Sequence, residues 1–175
     1  MDIGLLLLRL VIAAILFAHA TQKLFGWFGG NGLRKQAGVF ESLGLRPGRV
    51  MVGMAGTCEL AAAALLGLGF LTPLGALVAF GTMATAGLTM RHASGAFWNV
   101  AGGGEYPFVL AAVAGVLAFA GPGRYAVDAA LASAAEVFAR SAAPGPVVGL
   151  VVVLVGVLAT LPFVAMLRRA SPAGA

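Results

Sequence analysis

The stretch Val147 to Leu167, VVGLVVVLVGVLATLPFVAML, runs for 21 residues without a charge. A helix rises about 1.5 Å per residue and the hydrocarbon core of a bilayer is about 30 Å thick, so this segment is long enough to cross it. The same ruler finds four more apolar runs: Ile3 to Gln22, Val50 to Leu71, Leu74 to Met90 and the shorter Tyr106 to Ala120. Thr72-Pro73 alone separates the second from the third, which predicts an antiparallel hairpin. The glycines at 26, 29, 30 and 32 stop the first run and read as a flexible turn, and Gly121-Pro122-Gly123 stops the fourth.

Composition agrees with a membrane chain. Of its 175 residues, 61% are hydrophobic and 10% charged, against about a quarter charged in soluble domains. A net charge of +5 could suggest nucleic acid. The cations lie instead in short links between apolar runs, where membrane orientation explains them, so no nucleic-acid partner is expected. Cys58 is the only cysteine, which excludes an internal disulfide and a CxxC redox motif. Leu5 to Phe17 followed by Ala18-His19-Ala20 imitates a secretion signal, but Asp2 and Arg9 do not suit one. The run is read as an uncleaved first span.

Two segments are too polar to span. Leu33 to Leu45 carries Leu33, Ala37, Phe40 and Gly44 on one stripe, and Val127 to Ala139 carries Leu131, Ala134 and Phe138 on another. Both are predicted to be interfacial amphipathic helices. Phe25, Trp27, Phe28, Phe97, Trp98 and Tyr106 flank the spans as an aromatic belt. With the N-terminus outside, the cytoplasm receives Lys23, Arg34, Lys35, Arg46, Arg49, Arg91, Arg168 and Arg169, and the exterior only Arg124 and Arg140. Eight against two predicts N-out and C-in.

Ionisable groups inside a span are costly and point to function. From its place in the first run, Arg9 lies about 10 Å below the outer face, and Glu59 about 13 Å above the inner face. These levels differ by about 7 Å, so the two are expected to meet as an intramembrane pair. His19, Gln22 and Lys23 share a helical face near the inner boundary, where Arg91, His92, Glu105 and Tyr106 also fall. Such a cluster could hold the head of a quinone, whose carbonyls need donors. The plainer reading has Lys23 and Arg91 snorkelling and the histidines capping helix ends. Haem on His19 and His92 has nothing else in its favour, and no Cys/His spacing suits zinc, so no metal is expected.

The chain resembles the DoxX family of small bacterial membrane proteins. The resemblance rests on LLLRLVIAAILFAHATQKLFGWFGGNG from Leu6, FESLGL from Phe40 and GTCELAAAALLGLGFLTPL from Gly56. It continues through HASGAFWNVAGGGEYPFVLA from His92 and GPGRYAVDAAL from Gly121. Arg9, His19, Gln22, Lys23, Glu59, Glu105 and Tyr106 fall on the family's polar positions. The resemblance implies a four-helix transmembrane bundle over residues 1–130 in a bacterial plasma membrane. Residues 131–175 then add an amphipathic linker, a Pro144-Gly145-Pro146 break and a fifth transmembrane helix with a short basic tail.

Relatives in that family serve membrane redox systems, among them a thiosulfate:quinone oxidoreductase and complexes that handle oxidative and thiol stress. Others act as chaperones or cargo receptors. The expectation is a membrane subunit of a redox system, with quinone as the ligand and no intrinsic cofactor. Its electrons would come from a protein partner, since no flavin or Fe–S motif is present. The alternatives are a non-catalytic assembly factor, and a solute or proton pathway lined by Arg9 and Glu59 in a homo-oligomer.

Overall fold

The computed structural model describes residues 2–143 and 145–170, and these form helices and connecting turns without strands. The helices are α1 Asp2–Leu24, α2 Gly32–Ser42, α3 Gly48–Leu68, α4 Thr72–Ser94, α5 Glu105–Ala120, α6 Val127–Ala130, α7 Glu136–Ala142 and α8 Pro146–Ala170. Four of them, α1, α3, α4 and α8, are long and apolar enough to span a membrane. α5 is equally apolar but has 16 residues, a length of about 24 Å. The chain is an all-α membrane protein.

α1, α3, α4 and α5 form a ring in that order. α1 buries Arg9, Ile12, Ala13, Leu16 and Ala20, a stripe at helical spacing, and lays it mainly on α3. Ile3, Leu7, Leu10 and Val11 stay exposed on its other side, as lipid-facing residues do. α4 is the hub: α3, α5 and α8 all pack against it, and it buries Gly75, Ala76, Ala79, Ala84 and Gly87. Lipid offers no hydrophobic drive for helix association, so small residues that let backbones approach must supply the contact. The ring closes weakly between α5 and α1, which leaves a seam there.

α8 lies outside the ring, against α4 and α5. Phe80 of α4 fills the space over Gly156, and Phe119 of α5 fills that over Gly149. At its C-terminal end, Leu167 and Ala170 meet Gly44, and the Arg46 amide donates to Met166 Sδ at 3.3 Å. The ends of α1, α4 and α8 and the starts of α3 and α5 thus share one face, the basic face. Asp2, the α3–α4 link and the α5–α6 link share the other; there the Arg124 amide donates to Asp2 Oδ1 at 3.1 Å.

Two sequence expectations change. Val127 to Ala139 is not one amphipathic helix: it breaks into α6 and α7 because Asp128 turns inward to bind the start of α4. Phe138 still packs against the bundle, on Phe70 at 5.8 Å between ring centroids. The glycines at 26 to 32 form a defined 3-10 turn at Trp27–Gly29, folded so tightly that a side chain at Gly30 would strike the Gln22 backbone. Of the expected Pro144-Gly145-Pro146 break, Pro144 lies outside the described residues, and α8 starts at Pro146.

A side chain at Gly81 would lie 3.9 Å from Ala159 Cβ, within the range disulfides use. Gly81→Cys with Ala159→Cys, in a Cys58→Ser background, should therefore crosslink under a membrane-permeant oxidant. Adding Gly156→Leu, which collides with Phe80, should abolish the crosslink. Equal crosslinking with and without Gly156→Leu would show that α8 does not dock as described.

Candidate functional site

Two polar centres sit inside the bundle, one towards each face. Near the N-terminal face, the Arg9 guanidinium donates from Nη1 to Leu66 O at 3.0 Å and from Nη2 to Tyr125 O at 2.6 Å. Leu66 belongs to the last turn of α3, at the negative end of the helix dipole, and its carbonyl also accepts from the capping Gly69 N at 3.1 Å. Gly69 makes this possible: it takes the left-handed conformation, φ 64°, and a side chain there would occupy the place of Nη1. Asp128 does the converse for α4. Its carboxylate accepts from Leu71 N at 2.8 Å, Thr72 N at 2.9 Å and Thr72 Oγ1 at 2.8 Å, and so caps a helix start. Asp128 is also close enough to oppose the charge of Arg9.

The second centre lies towards the basic face. Glu59, at the middle of α3, is 1% exposed, and both its oxygens accept from Lys23 Nζ at 2.8 Å. Lys23 keeps 19% exposure and also approaches His19 O at 3.5 Å. His19 faces Tyr106 across the α1–α5 seam, with ring centroids 5.8 Å apart and planes tilted by 56°. Tyr106 is 41% exposed on the outside of that seam. The result is a row running inward from lipid: a phenol, an imidazole, an ammonium and a carboxylate.

The expected Arg9–Glu59 pair is therefore corrected. Glu59 pairs with Lys23, and Arg9 binds backbone carbonyls with Asp128 as its counter-charge. The cause is side-chain direction. Side chains on a helix lean towards its N-terminus, and the N-terminus of α1 is at the face opposite Glu59. Arg9 accordingly climbs away from Glu59, while Lys23 reaches inward to it. A depth estimate made from Cα positions misses this displacement.

The expected inner cluster divides into three. His19, Lys23 and Tyr106 come together with Glu59. Gln22 stays with them, hydrogen-bonded to the His19 side chain, and its Nε2 also donates to Phe28 O at 3.4 Å; Glu105 serves a loop instead, its Oε2 accepting from Asn99 N at 3.0 Å. Arg91 and His92 lie at the α4–α8 side, where Arg168 joins them. Sequence reasoning passed over Asp128, whose signal was a lone acid in the apolar run Tyr125 to Ala132.

Removing one partner of a buried ion pair strands the other charge, at a cost of about 3 kcal/mol. Lys23→Met and Glu59→Gln should each lower unfolding stability in detergent by about that amount. The double variant should lose at least about 1 kcal/mol less than their sum. Strict additivity in that cycle would mean that the pair does not form.

Comparison with curated proteins and with solved structures returns no match. The family model DoxX matches residues 4–92, just over half of the 175 residues. The matched stretch holds α1 to α3 and nearly all of α4, with Arg9, His19, Lys23 and Glu59 inside it; Tyr106, Asp128 and α8 lie beyond. Through that match, this membrane protein belongs to the DoxX family.

Proposed function

We propose that the chain is a membrane subunit of a redox system and that it receives a quinone head group at the α1–α5 seam. The observation that carries this reading is the buried Lys23–Glu59 pair, lined up behind His19 and Tyr106 at the one weak joint of the ring. A membrane quinone is dissolved in lipid and arrives sideways, so a lipid-facing seam with donors behind it suits its entry. Tyr106 and His19 offer hydrogen bonds to a carbonyl, and Lys23 offers a charge-assisted one.

Reduction of a quinone to its quinol takes two electrons and two protons. Neither a dithiol nor a flavin or Fe–S motif is present in the sequence, so the electrons come from a protein partner. The chain's own contribution is position and protons. Lys23 can give a proton to the reduced oxygen while Glu59 holds its side chain in place, and the basic face resupplies it. The eight basic residues at that face favour its placement in the cytoplasm of a bacterial cell.

Protein purified from its native membrane should carry about one extractable quinone per chain. His19→Ala should reduce that occupancy about tenfold, as expected for loss of a hydrogen bond in a closed site. Tyr106→Phe keeps the ring against His19 and should show a smaller loss. A quinone content that stays unchanged in Lys23→Met/Glu59→Gln would remove the site. Absence of quinone together with a stoichiometric protein partner would favour an accessory role.

A further inference from the structure

The last turns of α4 and α8 stand side by side at the basic face and border a groove of about 420 Å³. Leu88 and Val164 form its apolar floor, and Arg91, His92 and Arg168 stand at its mouth. The three basic side chains are exposed, whereas Leu88 and Val164 are half-buried. No carboxylate lines the groove among the described residues. The acids nearest in the chain to this face are engaged elsewhere: Glu41 accepts from Gly48 N at 3.0 Å, and Glu105 from Asn99 N. Arg91 and Arg168 take part in neither the Lys23–Glu59 nor the Glu136–Arg140 ion pair.

Cations at a helix C-terminus offset the dipole of their own helix. That accounts for a basic last turn in α4 and in α8 separately, but not for both sets sharing one groove. Like charges that border one groove repel each other, and more strongly beside hydrocarbon than in water. An anion between them reverses the sign. We propose that this groove is a binding site for the phosphate of an anionic membrane lipid.

Phosphate accepts the forked donors of arginine, and the groove lies at the ends of two spanning helices, at headgroup depth. The apolar floor decides between a lipid and a soluble phosphate. Leu88 and Val164 lie below the cations, where an acyl chain continues from the headgroup and where a free ion would leave them uncovered. Val164, Leu167 and Arg168 belong to α8, beyond the residues matched to the family, so the site arises from the appended helix. It is separate from the α1–α5 seam and does not depend on quinone binding there.

The test reconstitutes the full chain in bilayers of equal phosphatidylcholine and phosphatidylglycerol, then counts the lipids retained after solubilisation. Phosphatidylglycerol should be enriched among them. Arg168→Gln should lower the enrichment about fivefold, the effect of about one cation near an anionic surface. Arg91→Gln/Arg168→Gln should return the retained lipid to the bulk ratio. Arg34→Gln/Lys35→Gln, which removes two exposed cations elsewhere on this face, should leave the enrichment intact. Enrichment that survives Arg91→Gln/Arg168→Gln in a normally folded protein, or that falls equally in Arg34→Gln/Lys35→Gln, overturns the site. In detergent, inorganic phosphate should not raise the melting temperature; a rise lost in Arg91→Gln/Arg168→Gln overturns the lipid assignment in favour of a soluble anion.

Discussion

Hydrocarbon supplies no hydrogen bonds, so a guanidinium inside it must be satisfied by the protein. Arg9 Nη1 and Nη2 find acceptors on two separate pieces of chain, the end of α3 and the link after α5, while its Nε is buried without a hydrogen-bond partner. One side chain from α1 thereby fixes the near ends of three of the ring helices. Asp128 works beside it on α4, bonding Leu71 N and Thr72 N, while its own amide donates to Gly69 O at 2.9 Å. The α3–α4 hairpin presents both ends of its helix dipoles at this face, and each end meets a charge of opposite sign. Here the ring is stitched shut. Towards the basic face, the ion pair that ties α1 to α3 is Lys23–Glu59, and α1 and α5 part enough to leave a seam.

The spans were legible because length and apolarity alone decide whether a segment can cross lipid. Thr72-Pro73 also gave the hairpin correctly, with α4 starting at Thr72. The polar contacts were not legible to the same degree. Arg9, Lys23 and Glu59 were found from their cost in hydrocarbon, but pairing them requires knowing which way each side chain leans. Lys23 leans into the membrane because α1 ends at the basic face, and a linear ruler does not contain that fact. Asp128 was hidden for another reason. Its partners are backbone amides at Leu71 and Thr72, more than fifty residues away, and backbone amides leave no mark in a sequence.

The fifth span changes what the bundle presents to the membrane. Phe80 and Phe119 reach out of the ring into the glycine notches of α8, so the ring bears the knobs and the appended helix bears the holes. Its C-terminal end returns to the α2–α3 link at Gly44 and Arg46. Because α1 and α8 both end at the basic face, Asp2 and Arg168 stand on opposite faces. A four-helix unit would have kept both termini together.

The shortness of α5 acts beyond the protein. Gly104 sits against the Gly87 carbonyl, about two turns inside the end of α4 at Ser94, so the missing length lies at the basic face, beside Tyr106. A span about 6 Å shorter than the hydrocarbon it crosses makes the bilayer thin to meet it. A bilayer that thins in this way draws its headgroups and water down towards the shorter helix. Deformed bilayer also carries an energy that neighbours can share. Two inclusions that dimple a membrane in the same place disturb less lipid together than apart.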